Sequence, residues 1–133
     1  MKPERISHIG IAVRDLEKAI QDYQALFDFD RIEQTELSSE GVKVAMLKVG
    51  ESEIELLSPT SETGVIAKFL KERGEGIHHL AIKVPDVSEA IRRAERAGMI
   101  VLDRTPRRGA NGSEAAFVHP KSTHGVLLEF YNR

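Results

Sequence analysis

Residues 6–20 read ISHIGIAVRDLEKAI and residues 77–91 read IHHLAIKVPDVSEAI. Aligned at an offset of 71, seven of the fifteen positions are identical: Ile6/Ile77, His8/His79, Ile11/Ile82, Val13/Val84, Asp15/Asp86, Ala19/Ala90 and Ile20/Ile91. Such self-similarity marks a duplicated unit. Each copy opens with an alternating stretch rich in Ile and Val, which reads as a strand (about 6–13 and 77–84). Each then places an aspartate, Asp15 or Asp86, just before apolar residues at helical spacing. A carboxylate there can accept the unpaired N–H groups of a first helical turn. Leu16, Ala19, Ile20, Tyr23, Leu26 and Phe27 form the stripe of the first helix. Val87, Ala90, Ile91, Ala94 and Ala97 form that of the second, where Glu89 follows Asp86 by three and Gly98 closes the end.

A second echo lies further out. The segment EIELL around Glu55 matches VLLEF around Glu129 at an offset of 74. Three shorter strands follow each helix, at about 31–37, 42–49 and 53–57 in the first copy and about 100–104, 114–119 and 126–131 in the second. The chain therefore reads as one domain with module 1 at about 1–60, a connector at about 61–75 and module 2 at about 76–133. Val65, Ile66, Phe69 and Leu70 predict a short helix in the connector. The fold class expected is α+β: two βαβββ modules in a pseudo-twofold arrangement forming a concave mixed sheet.

Composition narrows the function. The 133 residues are 41% hydrophobic and 30% charged, which suits one globular domain. Nineteen Lys and Arg against 21 Asp and Glu leave a formal charge of −2, so neither nucleic acid nor an anionic membrane is an expected partner. The absence of cysteine excludes disulfides, thiolate nucleophiles and Cys-ligated zinc. Met1-Lys2-Pro3-Glu4-Arg5 lacks the apolar core of a signal peptide, and no run approaches a membrane span, so a cytoplasmic location is expected.

Alternation sorts the strand side chains onto two faces. In the first strand Ser7, Ile9, Ile11 and Val13 share one face, and Ile6, His8, Gly10 and Ala12 the other. In its counterpart His78, Leu80, Ile82 and Val84 oppose Ile77, His79, Ala81 and Lys83. Small residues beside each of His8 and His79 leave room for a cleft. Glu55 is bracketed by Ile54 and Leu56, and Glu129 by Leu128 and Phe130. A carboxylate inside an apolar strand is costly unless paired or metal-bound. A lone strand His is more often structural than a ligand, and a lone strand Glu more often faces solvent. The recurrence of His8, Glu55, His79 and Glu129 at matching positions favours a metal. Two imidazoles and two carboxylates suit a divalent ion such as Co, Ni, Mn, Fe or Zn. His78, His119 and His124 read as structural or loop-lining.

These residues resemble the vicinal oxygen chelate superfamily, which includes glyoxalase I, ring-cleaving dioxygenases and methylmalonyl-CoA epimerase. The similarity to the epimerase family is carried by ISHIGIAVRDLEKAI, by IELLSPTSETGVIAKFLKERGEGIHHLAIKV and by HPKSTHGVLLEF, and covers essentially the whole chain. It implies the glyoxalase-like fold and an isomerase. The implied reaction is interconversion of (2R)- and (2S)-methylmalonyl-CoA by proton removal alpha to the thioester, through a metal-stabilised enolate. It further implies His8, Glu55, His79 and Glu129 as metal ligands, Glu129 also as acid/base catalyst, and Co2+ as the ion, with Mn2+, Ni2+ or Zn2+ as substitutes. A homodimer is implied too, and Lys121, Ser122 and Thr123 would form a loop facing the substrate carboxylate.

The chain departs from some relatives at two positions. Glu55 stands where some have Gln, and Val44 stands where some carry a second catalytic Glu. Valine cannot shuttle a proton, so that role falls to another group or a metal-bound water. Arg104, Arg107, Arg108 and Lys121, around the stretch Arg107-Arg108-Gly109-Ala110-Asn111-Gly112-Ser113, are candidates for CoA phosphate contacts; a solvated loop is the plainer reading. Glyoxalase I chemistry would use the same ligands on a glutathione hemithioacetal. A dioxygenase needs an open face for oxygen, part of which Glu55 would fill. A non-catalytic ligand-binding module on this fold would hold no metal.

Overall fold

A computed structural model describes residues 1–109 and 112–133. Its elements run β1 (Arg5–Ala12), α1 (Leu16–Leu26), β2 (Ile32–Leu37), β3 (Val42–Val49), β4 (Ser52–Pro59), α2 (Val65–Arg73), β5 (Gly76–Lys83), α3 (Val87–Arg96), β6 (Arg107–Arg108), β7 (Glu114–Val118) and β8 (Leu128–Tyr131). These are two βαβββ-like modules of the α+β class, with both parallel and antiparallel strand pairs. No described helix is long and apolar enough to cross a membrane.

The duplicated aspartates do the same work twice. Asp15 Oδ1 accepts the Lys18 N–H and Asp86 Oδ1 accepts the Glu89 N–H, each at 3.1 Å. Each bond satisfies one donor that the first turn leaves open. The α3 exit also follows the sequence. Gly98, at φ +79, donates to Glu95 O, and Met99 donates to Ala94 O, the paired bonds of a Schellman ending. Gly98 is needed there because a Cβ disfavours that left-handed φ.

The chain forms two compact units whose borders cut through β1 and β5: Ile9–His78, and Met1–His8 together with His79–Arg133. In the first, β2, β3 and β4 are antiparallel neighbours, with Val44 opposite Leu57 and Met46 opposite Glu55. Val13 N–H donates to Leu57 O at 2.8 Å, tying the end of β1 to β4. One face buries Ala45, Leu47 and Leu56 against Val13, Leu16 and Ile20 on the α1 side. The other buries Ala12, Val42, Val44 and Leu57 against Ile66 and Leu70 of α2. The connector helix is thus a structural cover, each fully buried Leu contributing about 1.5–3 kcal/mol.

In the second unit β5 runs parallel to β8, β8 antiparallel to β7, and β7 antiparallel to β6. Glu4 N–H donates to Lys83 O at 2.9 Å, tying the start of β1 to β5. Val87, Ala90 and Ile91 of α3 pack on Val84 and Ala116, with Val101 and Phe130 at the margin.

One expectation fails. The strand expected over 100–104 is reduced to a single bridge between Val101 and Val118. Beyond it the Asp103 carboxylate takes the Phe117 N–H at 2.9 Å and the Arg107 Nε–H at 2.6 Å. A side chain has replaced the backbone acceptor that a continuing strand would offer. The outer strand forms instead at Arg107–Arg108.

Candidate metal centre

Three of the four expected ligands lie in the unit of Met1–His8 and His79–Arg133 and come together there. His8 ends that unit's share of β1, His79 opens its share of β5, and Glu129 sits on β8. The parallel register places Ala81 beside Glu129, and the antiparallel register places Phe117 on its other side. Alternation then puts His79, Ala81, Glu129, Tyr131 and Phe117 on one face. Ala81 is fully buried, and its methyl group leaves space where a larger side chain would fill the centre.

The donor atoms form a nearly equilateral triangle. His8 Nε2 lies 3.1 Å from Glu129 Oε1 and 3.2 Å from His79 Nε2, and His79 Nε2 lies 3.2 Å from Glu129 Oε1. The three residues are 3%, 5% and 6% exposed, so their polar atoms are nearly cut off from water. Rings fix the imidazoles: Tyr131 meets His8 edge-on at 5.1 Å and Phe117 meets His79 edge-on at 5.7 Å. Ser7 Oγ lies 3.0 Å from His8 Nδ1.

Burial alone would push the Glu129 carboxyl up. Hydrogen bonds to His79 and His8 and their positive charge outweigh it and bring the carboxyl down to about 2. A bound dication would favour the carboxylate in the same direction.

The triangle fits a divalent ion. Two donors at right angles around an ion, each about 2.1 Å away, lie about 3 Å apart. Two imidazole nitrogens and one carboxylate oxygen suit borderline first-row dications. His8, His79 and Glu129 are a buried set able to chelate such an ion.

The other expected residues lie on elements of their own. Glu55 lies on β4 in the Ile9–His78 unit, half-buried opposite Met46. Val44 is buried in the cluster with Ala12, Leu57, Ile66 and Leu70. Lys121, Ser122 and Thr123 occupy the turn before β8. Ser122 Oγ accepts the Ile100 N–H, and Thr123 donates to Val126 O. His119 Nδ1 accepts the Lys121 N–H, a loop-holding role. His78 meets Phe69 edge-on at 5.0 Å. Arg107 pairs with Asp103 and lies over Phe117, and Arg108 lies 3.9 Å from Glu114. Arg104 is exposed; Ala110 and Asn111 lie outside the described residues.

Sequence reasoning missed Tyr131 and Ser7. The signal for Tyr131 was its spacing of two from Glu129, which puts it on the ligand face. The signal for Ser7 was a hydroxyl directly before His8 on an otherwise apolar face.

Comparison with known proteins converges on one group. The family model of the Glyoxalase/Bleomycin resistance protein/Dioxygenase superfamily matches residues 7–117. The ethylmalonyl-CoA/methylmalonyl-CoA epimerase of Cereibacter sphaeroides is 37% identical over 127 residues, covering 94% of this chain and 95% of its own. A solved methylmalonyl-CoA epimerase in complex with methylmalonyl-CoA and NH4+ is similar with a TM-score of 0.92 and 39% identity, covering 98% of this chain and 95% of its own. A variant of Streptomyces coelicolor methylmalonyl-CoA epimerase in complex with 2-nitronate-propionyl-CoA gives the same TM-score, identity and coverage.

Proposed function

The chain belongs to the glyoxalase/bleomycin resistance protein/dioxygenase superfamily and, within it, to the methylmalonyl-CoA epimerase family, and from that membership we propose that it is a metal-dependent epimerase interconverting (2R)- and (2S)-methylmalonyl-CoA. The observation that carries the reading is the buried His8–His79–Glu129 triangle with edges of 3.1–3.2 Å.

The reaction removes a proton from a carbon flanked by a carboxylate and a thioester and returns one to the opposite face. A divalent ion on these donors supplies a Lewis acid that lowers the cost of negative charge on the substrate oxygens. Glu129 is a carboxylate at neutral pH, its pKa lowered to about 2. Its Oε1 faces both imidazoles, while Oε2 makes no hydrogen bond among the described residues. We assign Oε2 as the acid/base on one face of the carbon, taking the proton from one epimer and giving it back in the reverse reaction; the proton delivered to the other face comes from a second acid or a water. Phe117 and Tyr131 hold the imidazoles and keep water from the donors. Val44 cannot supply the opposing proton, because an isopropyl group carries none to transfer.

Glu55 is assigned as a fourth ligand on its repeat position, which matches that of Glu129. Lys121 and Ser122 are assigned to the substrate carboxylate: the ammonium and the Ser122 hydroxyl hydrogen are its donors, and Thr123 holds the turn. Co2+ is the assigned ion, since this donor set suits it and the family resemblance favours it. A homodimer and a cytoplasmic location complete the reading. Light scattering and cell fractionation test them.

Deuterium exchange tests the function. Metal-loaded protein in D2O should exchange the C2 hydrogen of methylmalonyl-CoA in step with loss of optical purity. Absence of exchange would sink the reading. Formation of S-lactoylglutathione from methylglyoxal and glutathione would replace it with glyoxalase chemistry.

A further inference from the structure

Ser7 lies on the face of β1 opposite to His8, among residues that read as apolar core, and is only 4% exposed. Its hydroxyl has two neighbours. It donates to the main-chain oxygen of Arg133 at 2.9 Å, and its oxygen lies 3.0 Å from His8 Nδ1. A main-chain oxygen only accepts, so the single serine hydrogen is committed to Arg133. Toward His8 the serine offers only a lone pair. The bond at 3.0 Å therefore requires His8 Nδ1 to carry the hydrogen. In a neutral imidazole that leaves Nε2 bare, and Nε2 is the atom at the corner of the donor triangle.

We propose that Ser7 is a positioning residue of the metal centre: anchored on Arg133, its hydroxyl locks His8 in the Nδ1–H tautomer that presents a bare Nε2 to the ion. The proposal rests on reading the triangle as a metal centre. The chain of contacts gives β8's exit a direct part in the site, since Arg133 lies two residues beyond Tyr131, whose ring braces the same imidazole. It also sets the charge pattern: a bare His8 Nε2 and a carboxylate oxygen on Glu129 face each other at 3.1 Å, an arrangement that a positive charge beside them stabilises. Partners of this kind, behind a metal-binding imidazole, are worth roughly 10–100-fold in metal affinity.

Long-range 1H–15N correlation spectra of 15N-labelled protein, metal-free at mildly alkaline pH and again loaded with zinc, read the tautomer directly. The wild type should show His8 with hydrogen on Nδ1 in both forms. A metal-free His8 with hydrogen on Nε2 and none on Nδ1 would overturn the proposal, and this arm needs no variant to fold. Ser7→Ala should give a tautomer mixture and bind Co2+ about 10–100-fold more weakly in a chelator competition, and Ser7→Thr, which keeps the hydroxyl, should restore both. An unchanged spectrum and affinity in folded Ser7→Ala would also overturn it. If the wild type bound no cobalt, the metal reading would fall, while the metal-free spectrum would still decide the tautomer.

Discussion

In the second copy of the repeat, Glu129 stands between Ala81 and Phe117 on a face that also holds His79 and Tyr131, and two imidazoles meet its Oε1. In the first copy, Glu55 stands opposite Met46 on a face whose next rung, Val44 and Leu57, is packed under Ile66 and Leu70 of α2. The two carboxylates share a place in the repeat but not an environment. One is buried among ligands and held as an anion by neighbouring charge; the other is half-buried along an aliphatic cluster. Duplication copied the positions. An unduplicated helix, α2, then packs beside one copy and gives its strands neighbours that the other copy lacks.

The largest expected effect tests that inequality. Glu129→Ala should lower turnover by about 10³-fold or more, because one residue serves as ligand and base, and the protein should stay folded by circular dichroism. Glu55→Ala should lower cobalt affinity, by about 10–100-fold, while leaving measurable turnover at saturating metal. Equal losses in the two variants would break the contrast.

The aliphatic side of the comparison is a stability claim. Leu70→Ala should cost about 2–5 kcal/mol in urea unfolding, since it opens a cavity beneath Val44 and Leu57. The charged side is a pH claim. The folded Glu129 carboxyl lies at about 2 against an ordinary 4.5, so its contribution is fully present above 4.5 and is lost as the pH falls from 4.5 towards 2. At roughly 1.4 kcal/mol per unit, the wild type should lose a few kcal/mol over that window that Glu129→Gln does not lose. Parallel stability curves for the two proteins would contradict it.

The smallest effect concerns what duplication did preserve. Asp15 and Asp86 cap their helices through the same bond at the same 3.1 Å. Asp15→Ala and Asp86→Ala should each cost about 1 kcal/mol, measured by thermal unfolding. A large difference between them would show that the local symmetry is only apparent.

Much of this was legible in the chain because it is local. Strand alternation, the aspartate caps and the Gly98 ending depend on neighbours a few residues away, and all were formed as expected. His8, His79 and Glu129 were legible because the repeat placed equivalent residues in register. What sequence did not show depends on distant partners. Asp103 ended the strand expected over 100–104 by bonding Phe117, fourteen residues away. The covering of Val44 by α2 and the bond from Ser7 to Arg133 join segments that no periodicity connects.

The central claim is that three buried side chains grip one cation, and calorimetric titration of metal-free protein with Co2+ tests it most directly. The account predicts one equivalent bound per chain by the wild type and none in the same concentration range by folded His79→Ala or Glu129→Ala. Failure of the wild type to bind, or undiminished one-to-one binding by either variant, would contradict it.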